Sequence, residues 1–455
     1  MPDESRPDFF LCDIPQEATL NAEMVLAAAD TLRKNAETYL HPRKIEHQVA
    51  LIENLVKLWS DEMYPLRREL LSHCGKAIRF SQEIFTSGLE ETLRSLTRDR
   101  IYQLLKIELG NEKSLDTWYR HLQNDDEPSH ASHHFSLRLV GAHYQQCVPA
   151  QMIVFICKCL LARTSQWIIC GSEVLEVARL LAHSIYQIDS KAAACIEIVD
   201  EKRIQPHIEL IKQQCEYYRK WSFNMEQPQA SPHNLGFVWI SQDYLTQNGT
   251  TRLVRHLAND VTAWDQLYPC APSVIFVQQT SGNAAERLAE DLYKELEILR
   301  ASYPQDHYDE ARLKRAKIFQ TAYQLRAQQD AGTLLFVTET NDHSENHNQL
   351  GCSVIYEMET RFSFSMGNRF VFIRPAEKLS DLLHIIENNR SQIGCVGLAA
   401  TGEEAPALAK ALALWGVPRI CGAGMMHRPC IFKEGGMTSL TELTYKSFWE
   451  KPYNA

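Results

Sequence analysis

The sequence has no apolar stretch long enough to cross a membrane as a helix. Its longest, Cys147 to Ala162, is interrupted by Lys158 and falls short of the roughly 20 apolar residues that a span requires. Basic residues are not in excess: 47 Lys and Arg stand against 57 Asp and Glu, a net charge of -10, which excludes broad binding to nucleic acid or to an anionic membrane. The opening MPDESRPDFFLCDIP lacks the basic-then-apolar order of a secretory signal. The 13 cysteines are irregularly spaced and no pair of Cys-x-x-Cys motifs occurs, so they read as reduced cytoplasmic thiols rather than a disulfide framework or a zinc site. Cys157 and Cys159 flank Lys158 in a helix-like run where their side chains diverge, and no metal is expected there. Internal repeats and low-complexity tracts are absent too.

What is present is the composition of a soluble globular protein, 45% hydrophobic and 23% charged, in a chain of 455 residues, which is too long for one ordinary core. Residues 1–20 are rich in proline and acid and read as an extended arm. Helical periodicity follows to about Leu122. Ile45, Val49, Ile52, Val56 and Trp59 recur at spacings of three and four, Pro65 restarts the helix, and Gly110 suits a C-cap after Arg98–Leu109. Asn124–His134 reads as a polar connector whose histidines have no helix to fix ligand spacing. From Phe135 strands and helices alternate: Phe135–Ala142, a helix opened by Pro149, Ser165–Cys170, Glu173–Ile188 and Cys195–Val199. That alternation predicts a parallel sheet with crossover helices.

Beyond the strand Leu235–Ser241, a second α/β half is predicted. It holds a helix at Ala284–Ser302, strands at Thr333–Thr338, Ser353–Met358, Arg369–Arg374 and Gln392–Leu398, and helices at Leu379–Asn389 and Glu404–Trp415. A glycine-marked turn falls at Gly435-Gly436. The expected division is an arm and helical region over 1–134, a Rossmann-like lobe over 135–258, a thiol-bearing lobe over 259–425 and a return segment over 426–455.

Two places carry chemistry. The helix starting near Gly171-Ser172 follows a strand, and its free backbone N–H groups and dipole favour an anion such as a phosphate. Cys270 stands between the turn-like Gln266-Leu267-Tyr268-Pro269 and the strand candidate Ser273–Thr280, where a scaffold presents reactive groups at the mouth of a sheet. An inert buried thiol is the commoner fate of a cysteine, because reactivity needs a special environment.

Asp260-Val261, Asp265-Gln266 and Cys270 with Pro272-Ser273 together resemble the nucleophile segment of the LuxC-like fatty acyl-CoA reductases, which belong to the aldehyde-dehydrogenase-like superfamily. Leu58–Glu69 resembles that family's N-terminal helical signature; Gly367-Asn368-Arg369, Gly416–Ile420 and Gly424-Met425 resemble its C-terminal half, so the likeness runs in family order over about residues 50 to 450. The resemblance implies an α/β, aldehyde-dehydrogenase-like fold, with a cofactor lobe, a catalytic-thiol lobe and an N-terminal helical region. It implies NADPH-dependent reduction of a long-chain fatty acyl thioester to the aldehyde, with Cys270 as the acyl-accepting nucleophile and Gly171 and Ser172 at the cofactor. Acyl-CoA or another acyl thioester is then the substrate. An acyl-transferring partner protein and a homo-oligomer are compatible with it.

The sequence departs from the family pattern at both sites. Asp265-Gln266-Leu267-Tyr268-Pro269-Cys270 holds one residue more than the family spacing. Cys147 stands where the family's oxyanion-donating amide is expected, ahead of Val148-Pro149, and Ile169 where a lysine should meet the cofactor. The segment after Val199 is short and lacks the family's glycine-rich strand–helix turn, leaving Arg163, Lys202 and Arg203 as the cations that could compensate. A catalytically degenerate relative acting as a binding or partner subunit is therefore the alternative.

Overall fold

The computed structural model describes residues 9–15, 18–120, 130–222, 235–305, 310–338, 351–432 and 438–450. The early periodicity becomes five helices: α1 (Ala22–Asn35), α2 (Ile45–Ser60), α3 (Pro65–Ser72), α4 (Gln82–Ser95) and α5 (Arg98–Leu109). On α2 the buried stripe is Ile45, Val49, Ile52, Leu55 and Trp59, so Leu55 takes the inward place expected of Val56. Pro65 opens α3 at its first turn, where its missing N–H is harmless, and Gly110 ends α5 at φ 80.

Three sheets follow. A three-stranded antiparallel sheet orders β1 (Tyr119–Arg120), β2 (His130–Ser136) and β14 (Thr444–Glu450) as β1-β2-β14. The expected connector Asn124–His134 is thus corrected: its described end, His130–His134, is strand, and the single strand predicted from Phe135 is two. The reason is a partner far along the chain. Tyr445 sits opposite Phe135 and stacks on it with ring centroids 5.4 Å apart, and no local periodicity announces such a pairing. The Gly435-Gly436 turn lies outside the described residues.

A four-stranded parallel sheet has the order β5-β4-β3-β6, from β3 (Leu139–Gln146), β4 (Ser165–Cys170), β5 (Ile196–Asp200) and β6 (Tyr217–Ser222). Its crossovers include α6 (Pro149–Leu161) and α7 (Ser172–Ile188). All 13 residues of α6 are buried, as an all-round apolar helix should be. Lys158, which interrupts its apolar run, donates to the Phe432 and Thr438 carbonyls at 3.2 and 2.8 Å.

The seven-stranded sheet runs β13-β12-β7-β8-β11-β10-β9, built of β7 (Leu235–Ile240), β8 (Pro272–Gln278), β9 (Thr333–Val337), β10 (Ser353–Glu357), β11 (Phe370–Ala376), β12 (Ile393–Ala399) and β13 (Arg419–Gly422). Only β9 is antiparallel to its neighbour. Strand β7, grouped by sequence with the first lobe, pairs here with β8 and β12, so the two α/β sheets part between Ser222 and Leu235. Its six buried positions are those of an interior parallel strand. No described helix is long and apolar enough to cross a membrane.

The N-terminal arm docks on the edge of the four-stranded sheet. The Cys12 N–H donates to Ile198 O at 2.9 Å, and the Leu11 N–H to Glu197 Oε1 at 2.7 Å. Burial works against ionisation of Asp13, but hydrogen bonds from His183 and Arg179 prevail and hold its carboxyl at about 2. Burial pushes Glu197 up to about 7, against hydrogen bonds from the Leu11 and Ile198 N–H groups. A carboxyl raised in the folded state contributes stability below its unfolded value, and that contribution is lost as pH rises through the folded one. Replacing Glu197 with Gln should therefore change the thermal midpoint relative to wild type progressively between pH 4.5 and about 7, and by a constant amount above. Midpoints of both proteins measured across that range check this; a difference independent of pH would refute it.

Candidate functional site

The cysteine segment starts from an unusual backbone. After the helix Thr251–Thr262, three consecutive non-glycine residues are left-handed: Trp264 (φ 53), Asp265 (φ 50) and Gln266 (φ 62). Each such residue costs about 1–3 kcal/mol, so the surroundings must impose the shape. Trp264, 1% exposed, lies edge-on to Phe80 and Phe85 of the helical region at 5.1 and 5.8 Å. A Cβ on Gly88 of α4 would meet its indole at 2.2 Å, so only glycine admits the ring.

Asp265 is equally constrained. Its Oδ1 accepts from Arg369 Nε at 3.2 Å and faces Nη2 at 3.1 Å, with Gln305 at 3.4 Å, while its carbonyl accepts the Asn368 N–H at 2.7 Å. Burial raises the Asp265 carboxyl, an effect Arg369 and Gln305 oppose. Gln266 donates to Pro272 O and Phe370 O at 2.8 and 2.9 Å and accepts the Phe370 N–H at 2.7 Å. The opposing Gly367, Asn368 and Arg369 are left-handed as well, at φ 70, 57 and 60. Asp265-Gln266 and Gly367-Asn368-Arg369, far apart in sequence, thus form one interlocked pair of turns at the N-terminal ends of β8 and β11.

Cys270 ends this loop and is 0% exposed. Its carbonyl is pressed against Gly236 at the start of β7, where a Cβ would lie 2.6 Å away. Cys395 on β12 touches the Cys270 thiol and lies 3.8 Å from Cys421 on β13, and burial, reinforced by these two thiols, raises Cys395 well above the usual cysteine value. The return from β13 closes over this group. Met426, fully buried, would meet a Cβ on Gly236 at 2.8 Å and one on Gly397 at 2.6 Å. Asp260 holds the turn from one side, accepting the N–H groups of Gly424 and His427 at 2.6 and 3.0 Å and facing His427 Nδ1 at 2.7 Å. From the other side Arg419 donates to the Met425, Met426 and Arg428 carbonyls at 2.9, 3.4 and 2.8 Å. The segment over Cys270 is thus gripped by a buried anion and a buried cation.

The second expected site lies at the end of β4. The Gly171 N–H donates to Tyr144 O at 2.7 Å, and a Cβ on Gly171 would meet Gln145 O at 2.4 Å, so glycine allows α7 to begin against β3. Ser172 is exposed at the first position of this 17-residue helix, with no side-chain cap before it. A phosphate of a dinucleotide fits that terminus. Arg79 stands beside it, paired with Glu173 of the first turn at 3.3 Å. Ile169 is wholly buried beside Trp167, Leu139 and Val199, and burial raises the Cys147 thiol, which is 4% exposed. Arg163 lies at the opposite end of β4, bound to Asp116 and to the Arg43 and Leu115 carbonyls. Arg203 donates to Ile14, Pro15 and Ala18 carbonyls of the arm, leaving Lys202, exposed after β5, as the cation at that end of the three expected to compensate.

A cavity of about 980 Å³ opens elsewhere, lined by His41, Arg43, Asp116, His133, Arg163 and Tyr445, and it includes neither Cys270 nor Gly171 and Ser172. Sequence reading named Cys270, Gly171 and Ser172 and the motif around Asp260. It missed Cys395 and His427, whose places on another strand and turn leave no local signal, and it read Arg419 only as part of the Gly416–Ile420 motif.

The acyl-CoA reductase (LuxC) family model matches residues 40–446. The chain belongs to this family. No curated protein matches its sequence significantly. Among solved structures, an oxidoreductase from Marinobacter aquaeolei is similar at TM-score 0.66 and 12% identity, over 95% of this chain and 91% of that one. Aldehyde dehydrogenase 21 from Physcomitrella patens, in complex with the reaction product succinate, is similar at TM-score 0.66 and 9% identity, with the same coverage of 95% and 91%. An NADP-dependent glyceraldehyde-3-phosphate dehydrogenase from Bacillus halodurans, complexed with NADP, is similar at TM-score 0.62 and 12% identity over 95% and 91%. Family and fold together make this an oxidoreductase of the acyl-CoA reductase type on an aldehyde-dehydrogenase fold.

Replacing Arg369 with Met should remove the cation hydrogen-bonded to the buried Asp265 and destabilise the fold by about 3–5 kcal/mol. The double replacement Asp265→Asn with Arg369→Met should recover part of that loss. Denaturant midpoints of both variants decide it; additive losses would show that the two residues act independently.

Proposed function

We propose that this chain accepts an acyl group on Cys270 from a long-chain acyl thioester such as acyl-CoA and releases it as the aldehyde with NADPH. The observation that carries the reading is the construction around Cys270. The family's nucleophile segment is held at the strand ends of the seven-stranded sheet by the locked Asp265-Gln266 and Asn368-Arg369 turns. In the acyl-transfer half of the reaction, the Cys270 thiolate attacks the thioester carbonyl, a carbon–sulfur bond forms to the protein, and coenzyme A leaves as its thiolate. NADPH, which Gly171 and Ser172 would hold by a phosphate, would supply the hydride that converts the protein thioester to aldehyde, the carbon–sulfur bond breaking to return the Cys270 thiolate.

The residues that must move are those covering the thiol. Because Cys270 is 0% exposed, the Met426 turn has to lift from Gly236 before a thioester reaches it. With Cys147 where the family has an amide, oxyanion stabilisation is weakened. Losing one such donor costs on the order of 100- to 1000-fold in turnover.

A second reading has its own support: a partner subunit that keeps the fold, binds an acyl-transferring protein or acyl carrier, and does not turn over. It is favoured by the sealed thiol and by the commitment of Arg203 to the arm. Intact-mass analysis after incubation with a long-chain acyl-CoA separates the two. A single acyl adduct, mapped to Cys270, absent in Cys270→Ser and discharged as aldehyde on adding NADPH, is expected. A folded protein that forms no adduct would overturn the enzyme reading and favour the partner subunit.

A further inference from the structure

Away from Cys270, and one helical turn beyond Ser172, α3 and α7 bring three metal-ligating side chains together. Glu69 and His73 are one helical turn apart at the C-terminal end of α3, where His73 keeps a helical backbone at φ -87 and ψ -11, so the two side chains share a face. Glu176, in the second turn of α7, faces them. One ligand atom from each of the three lies within 4.8 Å of the other two, and all three residues are half-buried.

The donors of this group are two carboxylates from different helices and one imidazole. Arg179 approaches Glu176 Oε1 at 3.3 Å, but its Nε is committed to Asp13 at 2.7 Å, so one guanidinium serves both carboxylates. A divalent ion suits both the donor set and the geometry. Metal–nitrogen and metal–oxygen bonds of about 2.0–2.2 Å place neighbouring donors some 3 to 3.6 Å apart, a closure that side-chain rotation of two glutamates can provide.

We propose that Glu69, His73 and Glu176 form a binding site for one first-row divalent transition ion, with water completing its coordination. The donor set selects the class. One imidazole with two carboxylates suits Mn²⁺, Fe²⁺, Co²⁺ or Zn²⁺, lacks the thiolate that soft ions prefer, and lacks the all-oxygen cage of calcium. The bound ion joins the helical region to the four-stranded-sheet lobe, because α3 belongs to the first and α7 to the second. It also fixes α7 one turn beyond Ser172, where that helix presents its N-terminus. This role is independent of acyl transfer on Cys270.

The test uses Mn²⁺, a hard ion with little affinity for the chain's 13 thiols, titrated into the full chain with the free ion followed by electron paramagnetic resonance. Expected are one ion per chain and a nitrogen modulation from a coordinated imidazole in the pulsed spectrum. His73→Ala should abolish that modulation and weaken binding at least tenfold, and Glu69→Gln should weaken binding while keeping the nitrogen signal. Mn²⁺ should raise the thermal midpoint of wild type and leave that of His73→Ala unchanged. No binding to wild type at millimolar Mn²⁺, bound Mn²⁺ without nitrogen coordination, or equal binding by His73→Ala would each overturn the proposal.

Discussion

The buried pairing of Asp265 with Arg369 is the constraint on which the thiol site depends. The side chains are 5% and 1% exposed, and taking two such charges out of water is favourable only when every remaining donor and acceptor is used. Here they are largely used. The carboxylate also takes Gln305, the guanidinium reaches Tyr303 O at 2.7 Å, and the backbone beside the pair is bonded across from Asn368 N to Asp265 O. A buried ion pair of this kind gives little net stability against a well-packed apolar replacement. What it does give is a defined backbone path, since it locks together two runs of three positive-φ residues, one on each turn.

That path explains why the segment before Cys270 tolerates so much strain. Left-handed conformations at Trp264, Asp265 and Gln266 would unwind in isolation, and each is held by a different part of the molecule: α4 by its contact with the indole, β11 through Arg369 and Phe370, and β8 through Pro272. Helical region and seven-stranded sheet are therefore joined through the thiol loop. Gly88 belongs to this arrangement although it lies in a helix interior, where glycine is otherwise unfavourable by about 1 kcal/mol. The loss on α4 is offset by admission of Trp264.

Much of this was legible in the sequence, and the limits are physical. Long amphipathic helices such as Ala284–Ser302, with Leu288, Leu292 and Leu296 at spacings of four, appear where periodicity puts them because their signal is local. Both turn motifs were legible as words of the family, and so was the thiol between them. Their contact was not, since the Asp265–Arg369 bond spans 104 positions and leaves no periodic trace. The same holds for β7, whose neighbours β8 and β12 are chosen by the whole sheet, and for β2, whose partner β14 lies some 300 residues on. Arg203 could be named from sequence as a candidate cation. That its guanidinium would be spent on the carbonyls of the arm could not, because the arm has no pattern of its own.

The enclosure of Cys270 bears on how such a site can work. A thiol wholly buried against Cys395, beside a turn gripped by Asp260 and Arg419, is shielded from bulk reagents. If Cys270 accepts the acyl group as proposed, its reaction must come together with opening, when displacement of the turn admits the thioester. The hydrogen bonds that hold the turn shut set how often that occurs, and substrate binding has to supply the difference. Asp260 is central to that balance, because one carboxylate restrains Gly424 and His427 at once and sits one residue before Val261 in the motif that leads to the thiol. The segment that positions Cys270 is thus continuous in sequence with the residue that keeps it covered.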